Sequence, residues 1–216
     1  PFAAYLAALR AAMGLGRLRV VPLPRWLMPP VLLLARLLGF AMPDRATLGM
    51  LERGNAADAG LTRRLLGRAP RPVAQFISDA RGAAVRAQLD WLLPVLRLSI
   101  AIVWIATAIV SAGVYPLEDS YDLLTRSGVP PAWAPPLLAG ACLFDLLLGM
   151  ATLALRPPWR RWLWPLQAAL IVFYSVWIAV FLPEFLWHPY GPLTKNLPML
   201  AALWLLYQLE ETQWNT

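Results

Sequence analysis

"WAPPLLAGACLFDLLLGMATLAL", residues 133–155, decides the fold class. It is apolar along its length except for one carboxylate, Asp145. Crossing a bilayer as a helix takes ~17–25 largely apolar residues, and this stretch supplies them. Three similar segments surround it. "LLPVLRLSIAIVWIATAIVSAG" (92–113) comes before it, and "WLWPLQAALIVFYSVWIAVFL" (162–182) follows. A shorter one over 193–209 covers about 25 Å at ~1.5 Å per residue, a shortfall that thinning or snorkelling ends can absorb. The sequence therefore predicts an all-α membrane protein, a bundle of four transmembrane helices spanning about 92–113, 133–155, 162–182 and 193–209.

Composition agrees. The chain is 59% hydrophobic and only 14% charged, against about 25% charged residues in soluble domains. The charges are also uneven. Residues 1–91 carry thirteen arginines against five acids, and residues 92–216 carry six basic and seven acidic groups. A basic segment beside membrane helices reads as facing anionic lipid rather than nucleic acid. The chain thus divides into a helical, basic segment, 1–87, and a membrane domain, 88–216. "WLMPPVLLLARLLGFAMP" in the first part is broken by prolines and too short to span, which predicts a buried or interfacial helix.

Loop charges set the orientation. Arg156 to Arg161 holds three arginines, while the loop Val114 to Ala132 holds Glu118, Asp119 and Asp122 against Arg126 alone. This alternation predicts both termini in the cytoplasm of a bacterial-type inner membrane. Trp133, Trp162, Trp164, Trp187 and Tyr190 fall at the expected interfaces. The chain opens on Pro1 without an initiator Met or a signal peptide, so a longer parent protein is expected.

Ionisable groups inside a bilayer are costly and therefore informative. Arg97 and Asp145 are placed so that they can meet, as a structural ion pair or as a polar site for a quinone headgroup or proton transfer; the remaining alternative is that Arg97 snorkels or Asp145 is protonated. Cys142, Asp145, Gly149 and Thr152 share one helical stripe, and Gly149 with Gly140 and Ala141 permits close helix approach. Gln167 and Tyr174, seven residues apart, line one face of the third span. The loop "FLPEFLWHPYGPLTKNLPML" (181–200) adds Glu184, His188, Lys195 and Asn196. Two readings stand there: a stiff re-entrant turn clamped by Glu184 and Lys195 with Asn196 as a cap, or a histidine that shuttles protons or bonds a quinone. One histidine and one cysteine leave no metal site and no disulfide. No complete catalytic constellation is present: there is no dinucleotide fingerprint, Walker motif or nucleophile elbow.

From Gln88 to about Glu210 the chain resembles the DoxX-like integral membrane family. The likeness lies in "LLPVLRLSIAIVWI", "GACLFDLLLGM" and above all "FLPEFLWHPYGPLTKNLPML". That resemblance implies a four-helix bundle linked to quinone-coupled or other membrane redox chemistry. Residues 1 to about 78 are similar, more faintly, to the C-terminal part of an extended short-chain dehydrogenase or NAD-dependent epimerase. It rests on "RLRVVPLPRWL", "TLGMLERGNAADAG" and "LLGRAPRPVAQFI". This second likeness implies a module that anchors an NAD(P)-binding domain, with NAD(P) a cofactor only if such a domain lies upstream. The rival expectation is a non-catalytic accessory subunit of a larger respiratory or photosynthetic membrane complex.

Overall fold

Where residues 92–113 suggested one span, the chain forms a single helix, Ala80–Ile109, that begins a dozen residues earlier. In the computed structural model, residues 2–17, 19, 22–37, 49–50, 58–187 and 193–212 are described. Every regular element among them is helical: α1 (Phe2–Ala12), α2 (Met28–Leu37), α3 (Gly60–Leu66), α4 (Ala80–Ile109), α5 (Leu117–Arg126), α6 (Ala134–Ala154), α7 (Pro157–Phe181) and α8 (Asn196–Thr212), with short 3-10 turns between them.

The chain divides into two compact units, Pro1–Pro94 and Val95–Thr216, and α4 runs through the division. In the first unit, α1 packs on the turn Val73–Gln75. Its C-terminal end is closed by Gly14 at φ 68° and by Arg10, whose Nε donates to the Gly16 carbonyl at 3.1 Å. The helix α2 has ten residues, about 15 Å, and is too short to span a bilayer. Asp79 starts α4 by accepting the Gly82 N–H at 2.9 Å, which satisfies one of the otherwise unpaired amides of the first turn.

The second unit is the membrane bundle. Among the described residues three helical stretches are long and apolar enough to cross a membrane: Ala80–Val114, Pro131–Ala154 and Pro158–Phe181. The fourth expected span is present as α8, but its 17 residues cover only ~25 Å against a hydrocarbon core of ~30 Å. By length and composition the count of clear spans is therefore three rather than four.

Side-chain placement is inverted relative to a water-soluble bundle. Val180 is 66% exposed, and Ile102, Leu143, Phe173 and Val176 also point outward. The buried set includes Gln167, Thr152, Asp145 and Glu210. An apolar outside around a partly polar inside is the arrangement lipid favours, because tails solvate leucine as well as another helix does.

Proline marks both ends of the second span. Pro135 and Pro136 sit in the first turn of α6, and Pro157 and Pro158 in the first turn of α7, where the missing N–H has no helical partner to lose. Pro94 and Pro165 lie inside α4 and α7, each removing one i→i−4 bond. At its far end α4 widens into one π-type turn, Val110–Val114, closed by the Tyr115 N–H on the Val110 carbonyl at 2.9 Å. The supposed acidic loop that follows is in part a helix, α5. Its acids Glu118 and Asp119 occupy the first turn and Arg126 the last, each where the helix dipole favours it.

Candidate functional site

Polar chemistry in the bundle gathers at three levels. At the basic end Glu210 of α8 is 3% exposed and gathers two donors and a second arginine. Arg160 Nε and Trp164 Nε1 both donate to its Oε2 at 3.0 Å, and Arg97 Nε approaches Oε1 at 3.5 Å, an ion pair outside hydrogen-bond geometry. Arg160 also donates to the Leu155 carbonyl at 3.3 Å. One carboxylate thus ties α4, α7 and α8 together, and its neighbours carry two positive charges.

One level further in, Gln167 is fully buried and bridges two helices. Trp104 Nε1 donates to its Oε1 at 3.1 Å, and its Nε2 donates to Thr152 Oγ1 at 2.8 Å. Thr152 passes its own proton to the Leu148 carbonyl at 2.8 Å. The bridge satisfies every strong polar atom of the glutamine amide except one N–H. This is why an amide is tolerated where an orphaned one would cost several kcal/mol (about 2–7). Beside it Gly149 lies against α4. A Cβ there would meet Ile105 Cγ1 at 2.6 Å and the Ala101 carbonyl at 3.1 Å. Gly140, expected to serve the same purpose, has nothing within 4 Å and lines a cavity instead.

The third level is a cavity of about 920 Å³ at the α5 end. Its walls come from the π-type turn, α5, α6, α7 and the start of α8, and they are mostly apolar: Leu124, Leu138, Phe144 and Trp177 are typical. Its polar groups are few: Ser111, Ser120, Ser127, Tyr115, Tyr174 and Asn196. Ser120 and Ser127 spend their hydroxyl protons on the carbonyls of Pro116 and Leu124, at 3.3 and 2.7 Å. Asn196 donates to Ser175 Oγ at 2.8 Å, which pins the first turn of α8 to α7. Outside the cavity, Arg126 of α5 is paired with Glu184 in the turn after α7.

These placements sort the residues singled out in the sequence. Arg97 pairs with Glu210, not with Asp145, because the register keeps those two apart. Gly149 faces the stretch Ala101–Ile105, and α4 and α6 run antiparallel, so Asp145 falls about ten residues beyond Arg97. That is ~15 Å along the axis, too far for one guanidinium to bridge. Asp145 itself is buried, and its Oδ1 has no hydrogen-bond partner among the described residues. It sits one helical turn deeper than Ala141, which lines the cavity.

The expected stripe on the second span holds, with Asp145, Gly149 and Thr152 buried and Cys142 partly so. Gln167 and Tyr174 separate: the first belongs to the bridge, the second to the cavity. Glu184 is paired with Arg126 rather than Lys195, so the expected clamp across the turn gives way to a contact with α5. His188 and Tyr190 lie outside the described residues. Among those residues no group of three histidine, cysteine or acidic side chains could hold a metal.

Three participants were not foreseen. Glu210 stands one residue past the expected end of the fourth span, and Arg160 was read only as loop charge. Trp164 had been assigned to the interface, yet it is 1% exposed. A glutamate at the same end as an arginine-rich loop was the available signal.

An apolar exterior, several helices of bilayer length and polar groups kept inside define a multi-helix membrane protein. Residues 101–204 match the DoxX-like family, which takes in most of that bundle and just under half of the chain. The match leaves residues 1–100 outside it, and nothing among the comparisons supports the likeness of residues 1 to about 78 to a dehydrogenase or epimerase. No curated protein and no solved structure matches.

Proposed function

We propose that the bundle is the membrane module of a redox- or quinone-linked protein, and that a quinone-type ring occupies the cavity at the α5 end. The observation that carries this reading is the cavity itself. At about 920 Å³ it lies near the upper end of the ~300–1,000 Å³ typical of small-molecule sites, and a few polar groups interrupt an apolar lining. In this reading a planar ring lies among Phe144, Tyr174 and Trp177, and the Tyr174 hydroxyl and the Asn196 amide, both in the lining, serve as donors to its carbonyls. In this reading α5 roofs the site, and its pairing with Glu184 holds the roof in place.

The same reading puts the basic end in the cytoplasm of a bacterial-type inner membrane. It makes α8 the fourth span, with both termini on the cytoplasmic side. Support comes from the arginines at 156, 160 and 161 and from the acidic first turn of α5 at the other end. An NAD(P)-binding domain upstream would then stand on the cytoplasmic side, a step that rests only on the resemblance of residues 1–78.

The test is quinone content and binding. Protein purified in mild detergent is expected to carry bound quinone, and stripped protein to bind a short-chain quinone saturably. Leu138→Trp, which fills the cavity, is expected to abolish that binding. If stripped protein shows no saturable binding, or the filled cavity binds as well as the open one, the reading fails. A stoichiometric large partner without quinone would instead favour an accessory subunit.

A further inference from the structure

A second site is carried by the opposite, basic end, and it does not depend on the reading above. On the outer face of α7 and α8 a groove of about 420 Å³ is lined by Trp164, Pro165, Ala168, Leu203, Trp204 and Tyr207. It continues along α8 to Leu200, so it is about 10 Å long. Its wall is apolar apart from the rims of the aromatic rings.

Arg161 is not part of the lining but belongs to the same end of α7. Residues 161, 165 and 168 fall on one stripe of α7, so the arginine lies one turn from Pro165, toward the basic end. Its guanidinium sits 5.0 Å over the ring of Trp162 and has no carboxylate partner among the described residues. A guanidinium held by a ring in this way keeps N–H donors that can meet an anion.

We infer that this groove holds one anionic phospholipid, with its phosphate on Arg161 and one acyl chain laid against Ala168 and Leu203. Charge complementarity selects this occupant. A second protein helix would need more apolar area than a groove ~10 Å long provides, and a lipid without net charge would leave the positive field at this end without a counter-charge. The neighbouring Arg160 is committed to Glu210 and does not share the phosphate. Arg156, one turn before Arg160, adds to the positive field at the same end.

Retention of lipid by the full-length chain tests the inference. Delipidated protein is incubated with equal amounts of phosphatidylglycerol and phosphatidylcholine, and bound lipid is counted by native mass spectrometry. One phosphatidylglycerol is expected to be retained, about fivefold over phosphatidylcholine, the preference one arginine near a lipid surface supplies. Arg161→Gln is expected to bring that preference to parity. Ala168→Phe, which fills the groove, is expected to remove the retained lipid altogether. Ala168→Met serves as a milder filling variant, and circular dichroism checks that each variant is folded. Parity in the unaltered protein overturns the inference. So does a preference that survives Arg161→Gln, or retention that survives both fillings of the groove.

Discussion

Replacing Glu210 by glutamine is expected to be the most damaging single polar change in the bundle. The carboxylate is almost wholly enclosed and answers Arg160, Trp164 and Arg97 at once. Both arginine side chains are also largely buried, at 12% and 11% exposure. Glutamine keeps the shape and one acceptor but removes the charge that both arginines face, so two enclosed guanidinium groups lose it and repel each other. Removing one partner of a buried pair costs about 3–5 kcal/mol. At 1.4 kcal/mol per decade this shifts the folding equilibrium by roughly two to three and a half orders of magnitude. Reversible unfolding in mixed detergent–SDS micelles measures it, with Glu118→Gln on exposed α5 as a control expected within about 0.5 kcal/mol. The joint replacement Arg97→Leu, Arg160→Leu, Glu210→Leu should recover much of the loss, because no charge is then left stranded. A loss below about 1 kcal/mol for Glu210→Gln would refute the reasoning, as would a triple variant no better than the single one.

Two glycines of the same span should respond oppositely. Gly149→Ala forces a methyl against Ile105 and the Ala101 carbonyl and should cost about 1–3 kcal/mol in the same unfolding assay. Gly140→Ala meets open space and should be neutral or stabilising by up to ~1 kcal/mol through helix propensity. Arg126→Gln breaks the pairing with Glu184, but both side chains are about half exposed, so stability should fall by less than about 1 kcal/mol. Near 1 M salt, where charges are screened beyond ~3 Å, the difference between this variant and the unaltered protein should disappear.

The long spans were legible because nothing else produces twenty-odd apolar residues in a row, and α6 and α7 fall close to where residues 133–155 and 162–182 place them. The start of α4 was not. The apolar run begins only at Leu92, after Arg81, Arg86 and Asp90, so the span reads from there although the helix starts at Ala80. The helix α5 went unread for a related reason. Its charges drew attention, whereas its ordering of acids first and arginine last was the helical signal. At the candidate site, burial of a polar stripe followed from spacing alone. Partnership did not, since pairing Arg97 with Glu210 rather than Asp145 depends on how α4 and α6 slide past each other. Gly149, where a Cβ would not fit against α4, marks that register.

The charge cluster also bears on how the bundle is made. Its acid lies in the last helix, fifty residues after Arg160 and further still from Arg97. At a synthesis rate of ~5–20 residues per second, Arg160 waits about 3–10 s for its counter-charge, and Arg97 waits longer. Throughout that interval α4 and α7 hold arginines at the bilayer without the group that later encloses them, so neither can settle at its final depth. Docking of α8 therefore completes the charge cluster last, so the order of translation bears on the order of assembly.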